Sequence, residues 1–486
     1  MQADVINSSM SKIKTLAGET LLYGLGTILP RMLNFLLVPM HTYVFNREEY
    51  GDVTKLYAFV GFVNVVYMFG METAFFRFAN KPEASAKRVF DLTQSMVVFI
   101  SVPLTILLIL FASPVASYLG VGAHPEFIVW LAVIMLMDAV VAIPFARLRL
   151  EKKARSFAVA KIINVTILVS ATYYFLQMAY DPFVGIGYVF LANLLANSFF
   201  IVFFARTLFS WRPAYDRDIS PQMFRYAYPV MLTGAAGMTN EMFSRLTLDW
   251  WLPETYYPNL TSKEAGGVFG ACYKFAVLMN LGIQAFRFAA EPFFFSNAKE
   301  KNSPTLFAKI NHYFIICCCL FFLAICINLD LIKHLLSPAY WSGLHIVPIL
   351  LLAYLFLGVY YNVSVWFKLT DKTHYGTWIT IGGATVTIAV NFLLIPLLGY
   401  TGSAWAAFAC YFLMMIACYL IGQKNYAIPY RVTSGSLYIL ISSALVYSIN
   451  AVQISNQFLA TGFHSLCLVT VMGIVYLVEK KEFQRA

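Results

Sequence analysis

The chain has 486 residues, 60% of them hydrophobic and only 12% charged, with a formal net charge of +10. Soluble domains carry roughly 25% charged residues, and a water-soluble protein has no place to hide this much apolar surface. The composition therefore excludes a soluble protein and defines an integral membrane protein.

Apolar windows of about 20 residues, the length that crosses a bilayer as a helix, recur from Thr20 almost to the C-terminus. The first, 18–41, follows Lys12 and Lys14 and superficially resembles a signal peptide. It is too long for one, shows no small-residue cleavage site and precedes many more spans, so it reads as an uncleaved helix. Further helices are predicted near 53–76, 90–112, 126–147, 156–178, 184–206, 225–251, 266–291, 306–329, 344–367, 375–397, 401–421, 434–453 and 458–478. Backbone polar groups in lipid must be satisfied within the segment, and the alternation of a barrel strand is absent, so the class is an all-α polytopic protein of about fourteen spans. Cys317, Cys318, Cys319 and Cys326 fall in one span and Cys410 and Cys418 in another. None has zinc-ligand spacing with a nearby histidine, and they read as small packing residues.

Lysine and arginine test this map. Of the 34, 27 fall in alternate segments on one side, 4 on the other (Arg47, Lys55, Lys263 and Lys333), and Arg31, Arg245 and Lys274 inside spans. Such a bias obeys the positive-inside rule. It predicts cytoplasmic termini, 1–17 and 479–486, in a multi-pass protein. The positive charge is thus a topology signal, and no nucleic-acid partner is expected.

The two halves echo each other. "LLYGLGTILPRMLNFLLVPM" (21–40) aligns with "MLTGAAGMTNEMFSRLTLDW" (231–250) at an offset of 210, and "LRLEKKARSFAVAKIINVTI" (148–167) with "FKLTDKTHYGTWITIGGATV" (367–386) at an offset of 219. Two six-helix lobes are expected, 18–206 and 225–421, joined by a cytoplasmic loop, 207–224. Helices at 434–478 are appended. An even helix count makes the repeats parallel, related by a pseudo-two-fold along the membrane normal, an arrangement that usually puts the substrate between halves.

"GMETAFFRFANK" (70–81) resembles the end of the second helix in polysaccharide exporters of the multidrug/oligosaccharidyl-lipid/polysaccharide (MOP) superfamily. "FARLRLEKKARSFAVAKIINV" (145–165) resembles their loop between helices 4 and 5, and "AYWSGLHIVPILLLAYLFLGVYYN" (339–362) and "VNFLLIPLLGYTGSAWAAFACYF" (390–412) are similar to their helices 10 to 12. The resemblance implies a Wzx-type flippase of the bacterial inner membrane. Such a protein moves polyprenyl-diphosphate-linked oligosaccharides outward for O-antigen, capsule or related glycans by alternating access. It also implies company with glycosyltransferases and a polysaccharide polymerase. The alternatives are a cation-coupled multidrug exporter of the same superfamily and, from another class, an O-antigen polymerase or ligase. The last would need a large external loop, and the longest here is about 15 residues.

Charges within spans are the candidate site. Glu241, Arg245 and Asp249 are each four residues apart and share one helix face. Arg31 and Glu241 lie near mid-membrane, Arg245 is a turn further out and Lys274 reaches a similar depth from outside. Charge in hydrocarbon is costly, so such residues face a partner or a wet cavity. One reading makes Arg31, Arg245 and Lys274, with Glu241, a cavity that holds a diphosphate or acidic sugars, a task that suits the planar guanidinium. The other is self-neutralisation, Glu241 with Arg245 and Arg31. Asp249, beside Trp250 and Trp251, reads as interfacial and wet. Glu72 is within reach of Arg77. Asp138 and Glu241 are candidates to carry a proton or hold sodium. Arg147, Arg149, Lys152 and Lys153 form a basic run that could meet lipid headgroups. No catalytic constellation, phosphate loop or metal-ligand pair is present in the sequence, so neither an enzyme nor a cofactor is expected.

Overall fold

The computed structural model describes residues 28–81, 85–298, 302–452, 454 and 456–485, and among these every regular element is helical. Among the described residues, eleven helices are long and apolar enough to cross a membrane. Of the other expected spans, 184–206 corresponds to a shorter apolar helix, Gly187–Phe203, and 225–251 lies within Ile219–Trp251, which is 33 residues long. The stripe of Glu241, Arg245 and Asp249 lowers the apolarity of that helix. The span at 18–41 falls partly outside the described residues.

The chain divides into two compact units, Met1–Gly270 and Ala271–Ala486. In the first, helical residues 28–35 and α1 (Leu37–Val44) precede α2 (Arg47–Met68), α3 (Met71–Ala79), α4 (Ala86–Leu110), α5 (Glu126–Leu150), α6 (Ala154–Tyr173), α7 (Gly187–Phe203) and α8 (Ile219–Trp251). Helix α9 (Ser262–Asn297) begins in this unit. The second unit continues with α10 (Ser303–Ile327), α11 (Val347–Val363), α12 (His374–Leu398), α13 (Tyr400–Asn425), α14 (Val432–Asn450) and α15 (Gln457–Arg485).

Local chemistry sets the elements that carry charge in unit 1. Helix α2 starts on a capping box, in which the Asn46 side chain accepts from the Glu49 N–H and Glu49 accepts from the Asn46 N–H, satisfying two donors a helix start leaves open. It ends where Phe69 and Gly70 both turn left-handed, at φ 47° and 70°. One span, expected as continuous over 53–76, is therefore broken into α2 and α3. Gly70 is required twice over: its φ favours glycine, and a Cβ there would lie 2.8 Å from the Ala227 carbonyl oxygen of α8. Buried side chains from α2, α3, α4, α5 and α8, among them Tyr67, Phe75, Phe90, Met135 and Met223, form one core. In lipid such packing and close backbone approach, more than water exclusion, hold helices together. Helix α8 lies along α2 and α3, which puts its charged stripe against α2. In unit 2, α13 packs against both α11 and α12, and α10 against α11 and α14.

The structure extends the internal repeat. Glu72 of α3 pairs with Arg149 of α5, and Glu291 of α9 pairs with Lys368, at 2.7 Å, in the short helix after α11. Both members are displaced by 219 residues. The same offset aligns "YGDVTK" (50–55) with "FGACYK" (269–274), so Lys274 is the counterpart of Lys55. Four residues in one register, two of them partners of the other two, are not expected by chance.

Candidate functional site

The interior of unit 1 carries a series of charged and amide side chains. Lys55, in the third turn of α2, donates to Asp249 of α8 at 2.6 Å, with side chains 6% and 13% exposed. Asp249 is therefore a buried ion-pair partner and not the wet interfacial residue its tryptophans suggested. Trp250 contributes instead by placing its ring 4.8 Å from the Lys55 ammonium, a cation–π contact. Two turns along α8, Glu241 lies within electrostatic reach of Arg31. The Arg245 guanidinium donates to the Glu241 backbone carbonyl at 3.0 Å. The stripe thus faces protein, and its members are engaged from α2 and from the segment holding Arg31.

Asp138, on α5, accepts from the Asn197 side chain of α7 at 2.9 Å. Asn164 of α6 donates to the Ala196 carbonyl at 2.7 Å and to the Asn197 side-chain oxygen at 3.3 Å. One turn before Asn197, Asn193 donates to the Tyr57 hydroxyl of α2 at 3.1 Å. Lys161 of α6 lies within electrostatic reach of Asp138, Arg149, Glu72 and Arg31. Its ammonium sits 4.2 and 4.8 Å from the rings of Phe145 and Phe200, in a cluster completed by Phe157 and Phe204. These rings pack α5, α6 and α7 together and so hold the lysine near Asp138.

At the end where α5 finishes, Arg149 pairs with Glu72 and lies 5.0 Å from the Phe76 ring. Arg77, expected near Glu72, lies over Tyr226 at 4.2 Å. Arg147 and Lys153 both engage Glu151, at 2.6 and 2.7 Å. Burial alone would raise the Glu151 carboxyl, but the Lys153 ammonium and Arg147 guanidinium outweigh it and hold it below the usual carboxylate range. Lys152 is exposed, at a left-handed turn with φ 56°. Of the four basic residues singled out for headgroups, three are thus occupied by carboxylates of the chain itself. Lys274 belongs to unit 2, half-buried on α9.

Sequence reasoning missed Lys55, Lys161, Asn164, Asn193 and Asn197. Lys55 and Lys161 lie near the start of the predicted spans 53–76 and 156–178 and count there as flanking charges, whereas both helices start earlier and take them further inside. The 219-residue register was the available signal for Lys55, because Lys274 had already been singled out.

A bundle of long apolar helices with charge and amides turned inward is a polytopic helical membrane fold, and solved structures share it. The lipid II flippase MurJ in an inward closed conformation matches at 12% identity, covering 94% of this chain and 99% of that chain, with a TM-score of 0.72. A Vibrio cholerae MATE transporter matches at 16% identity over 86% and 98% of the two chains, TM-score 0.62. An inward-facing multidrug resistance MATE transporter of the MOP superfamily matches at 13% over 90% and 100%, TM-score 0.60. At these identities the likeness establishes the fold. A family model described as polysaccharide biosynthesis protein matches residues 44–253. No curated protein matches the chain.

Proposed function

We propose that this chain is a flippase that carries a polyprenyl-diphosphate-linked oligosaccharide across the bacterial cytoplasmic membrane by alternating access, with both termini cytoplasmic, to supply surface polysaccharide. The observation that carries the reading is the charged interior of unit 1 within a transporter fold. Arg31, Lys161 and Arg245 outnumber Asp138 and Glu241, which favours an anionic cargo over a cationic drug. Arg31 faces Glu241, and an incoming diphosphate, a stronger bidentate acceptor than one carboxylate, competes for that guanidinium. Exchange of one acceptor for another keeps the arginine satisfied, so the cavity need not hold a bare charge in either state. Lys274, on α9 in unit 2, is a further candidate cation for the cargo. The match of residues 44–253 to a polysaccharide biosynthesis model supports a glycan as the group carried.

Asp138 is the coupling residue in this reading, with Glu241 as the second candidate. Asn197 donates to Asp138 and leaves it acceptor capacity for a proton or Na⁺. Neutralising it weakens its hold on Lys161, which links ion binding to the cationic interior. The basic run at Arg147, Arg149, Lys152 and Lys153 meets headgroups chiefly through Lys152.

The test is flipping in proteoliposomes with a fluorescent polyprenyl-diphosphate oligosaccharide, at matched incorporation. Wild type is expected to flip it, and at least two of Arg31→Ala, Arg245→Ala and Lys274→Ala to lose at least tenfold in rate. Flipping that survives all three returns the charges to a structural role. A wild type no faster than empty liposomes overturns the function.

A further inference from the structure

One end of unit 2 holds a cavity that the interior described above does not use. It has a volume of about 640 Å³ and lies where α10 and α14 end and α11 and α15 begin. A second lobe, about 340 Å³, shares Asp330, Lys333, Trp341 and His464 with the first. Asn450, the last residue of α14, donates to the Cys326 carbonyl of α10 at 3.4 Å and ties the two helix ends together under the cavity wall.

Three features of the lining define its chemistry. Trp341 lines both lobes, and its Nε1–H donates to the carbonyls of Lys333 and Leu336 at 3.0 and 3.1 Å. The indole is therefore a fixed aromatic wall. Asp330 and Lys333, the ionisable acid and amine of the lining, pair with each other at 2.8 Å, which leaves no net charge to hold a phosphate or an ammonium group. His464 is the third. It lies seven residues after the start of α15, about 10 Å along the helix, is 5% exposed, and lines both lobes. Among the described residues it makes no hydrogen bond, and its ring neighbour is Phe463. By contrast His345, in the same lining, meets both the Ser342 carbonyl and the Thr401 hydroxyl at 3.0 Å. Its ring nitrogens keep accessible surface where the residue lines the cavity, so a hydrogen-bonding occupant can reach them.

We infer that this cavity binds a short neutral saccharide, with Trp341 as the stacking wall and His464 as the hydrogen-bonding group. A pyranose presents C–H groups on its faces and hydroxyls around its rim, and so needs one aromatic surface and a few polar groups. A neutral imidazole both donates and accepts, which suits a hydroxyl. The volume lies inside the roughly 300–1,000 Å³ range of small-molecule sites and holds roughly two to three pyranose rings. A pinned indole is already ordered, so stacking on it loses little side-chain freedom. The inference rests on the proposed function for its cargo: the charge bias puts this end at the outer face, where an exported glycan emerges.

The test uses the full chain in lipid nanodiscs and isothermal titration with neutral trisaccharides built from glucose, galactose, mannose and N-acetylglucosamine. Glycerol 3-phosphate serves as a probe of headgroup chemistry. Saturable binding of at least one trisaccharide is expected, weakened at least tenfold by His464→Leu and by Trp341→Leu. His464→Gln, which keeps hydrogen-bonding capacity, should stay within threefold, and carries the test if a leucine variant loses its unfolding transition. Failure of every trisaccharide, unchanged binding in both leucine variants, or competition by glycerol 3-phosphate overturns the assignment. Flipping is measured on the same preparations. Flipping without saccharide binding removes this site alone, and binding without flipping removes the transport reading alone.

Discussion

The pair formed by Lys55 and Asp249 gives the sharpest energetic prediction. Its nitrogen and oxygen are 2.6 Å apart, and its side chains are 6% and 13% exposed. At an effective dielectric of about 20, unit charges at that separation attract by about 6 kcal/mol. Desolvating both ions offsets much of this, so the pair as a whole is worth little against an apolar pair of the same shape. Removing one member is different, because it strands the other in the interior, and about 3–5 kcal/mol is expected to be lost. The perturbations are Lys55→Met, Asp249→Leu and the two combined. Methionine keeps the contact with the Trp250 ring, which isolates the charge. Reversible unfolding in bicelles with increasing SDS, followed by tryptophan fluorescence, gives the free energies. Each single variant should lose about 3–5 kcal/mol and the double variant no more than about 1–2 kcal/mol relative to wild type, a large coupling in a double-mutant cycle. Single variants within about 1 kcal/mol of wild type, or a double variant equal to the sum of the singles, would refute the buried-pair argument.

Four further outcomes follow from local geometry. Gly70→Ala forces alanine into a left-handed backbone and its Cβ against the Ala227 carbonyl, so it should destabilise by about 2 kcal/mol or more. Gly237→Ala, in α8 with nothing within 4 Å of the added carbon, should be neutral or stabilise by up to about 1 kcal/mol in the same unfolding assay. The Asp216 carboxyl accepts from the N–H groups of Ile219 and Asp218, pairs with Arg88 as well, and is held below the usual carboxylate range. Its folded-state value is depressed, so its stabilisation is complete above the ordinary value of about 4 and is lost as pH falls through the folded one. Thermal midpoints measured between about pH 5 and about pH 3 should therefore fall less steeply in Asp216→Asn than in wild type; equal slopes would contradict the assignment. Finally, Glu72→Gln and Glu291→Gln remove equivalent carboxylates from partly exposed pairs. Each should cost no more than about 1 kcal/mol, and a large loss in one with none in the other would break the proposed equivalence.

Helices, their rough positions and the inward turn of charge could be read directly, because hydrocarbon admits few other solutions. Glu241, Arg245 and Asp249 declared a common face by spacing alone. Their partners could not be read, since pairing across helices depends on packing that periodicity does not encode. Lys55 sits in "REEYGDVTKLY", polar enough to read as the flank of the span at 53–76, yet the capping box at Asn46 starts the helix well before it. Lys161 was hidden by the basic run that precedes it. The amides of Asn164, Asn193 and Asn197 carry no charge, so nothing in a hydropathy window marks them out from packing residues. The break at Phe69 and Gly70 was invisible for a related reason: a left-handed turn inside an apolar run changes direction without changing hydropathy.

Helix α8 is fastened to its neighbours at three heights. Gly70 of the α2–α3 break abuts the Ala227 carbonyl, Gly61 sits under the Met238 side chain, and Lys55 grips Asp249. From Ala227 to Asp249 these anchor points span about 33 Å. A ratchet of one turn, about 5.4 Å, would break all three together, so axial sliding of α8 against α2 is blocked. The two helices form a strut. Any movement that keeps these three contacts carries both helices as one body, and the side chains mounted on them travel together.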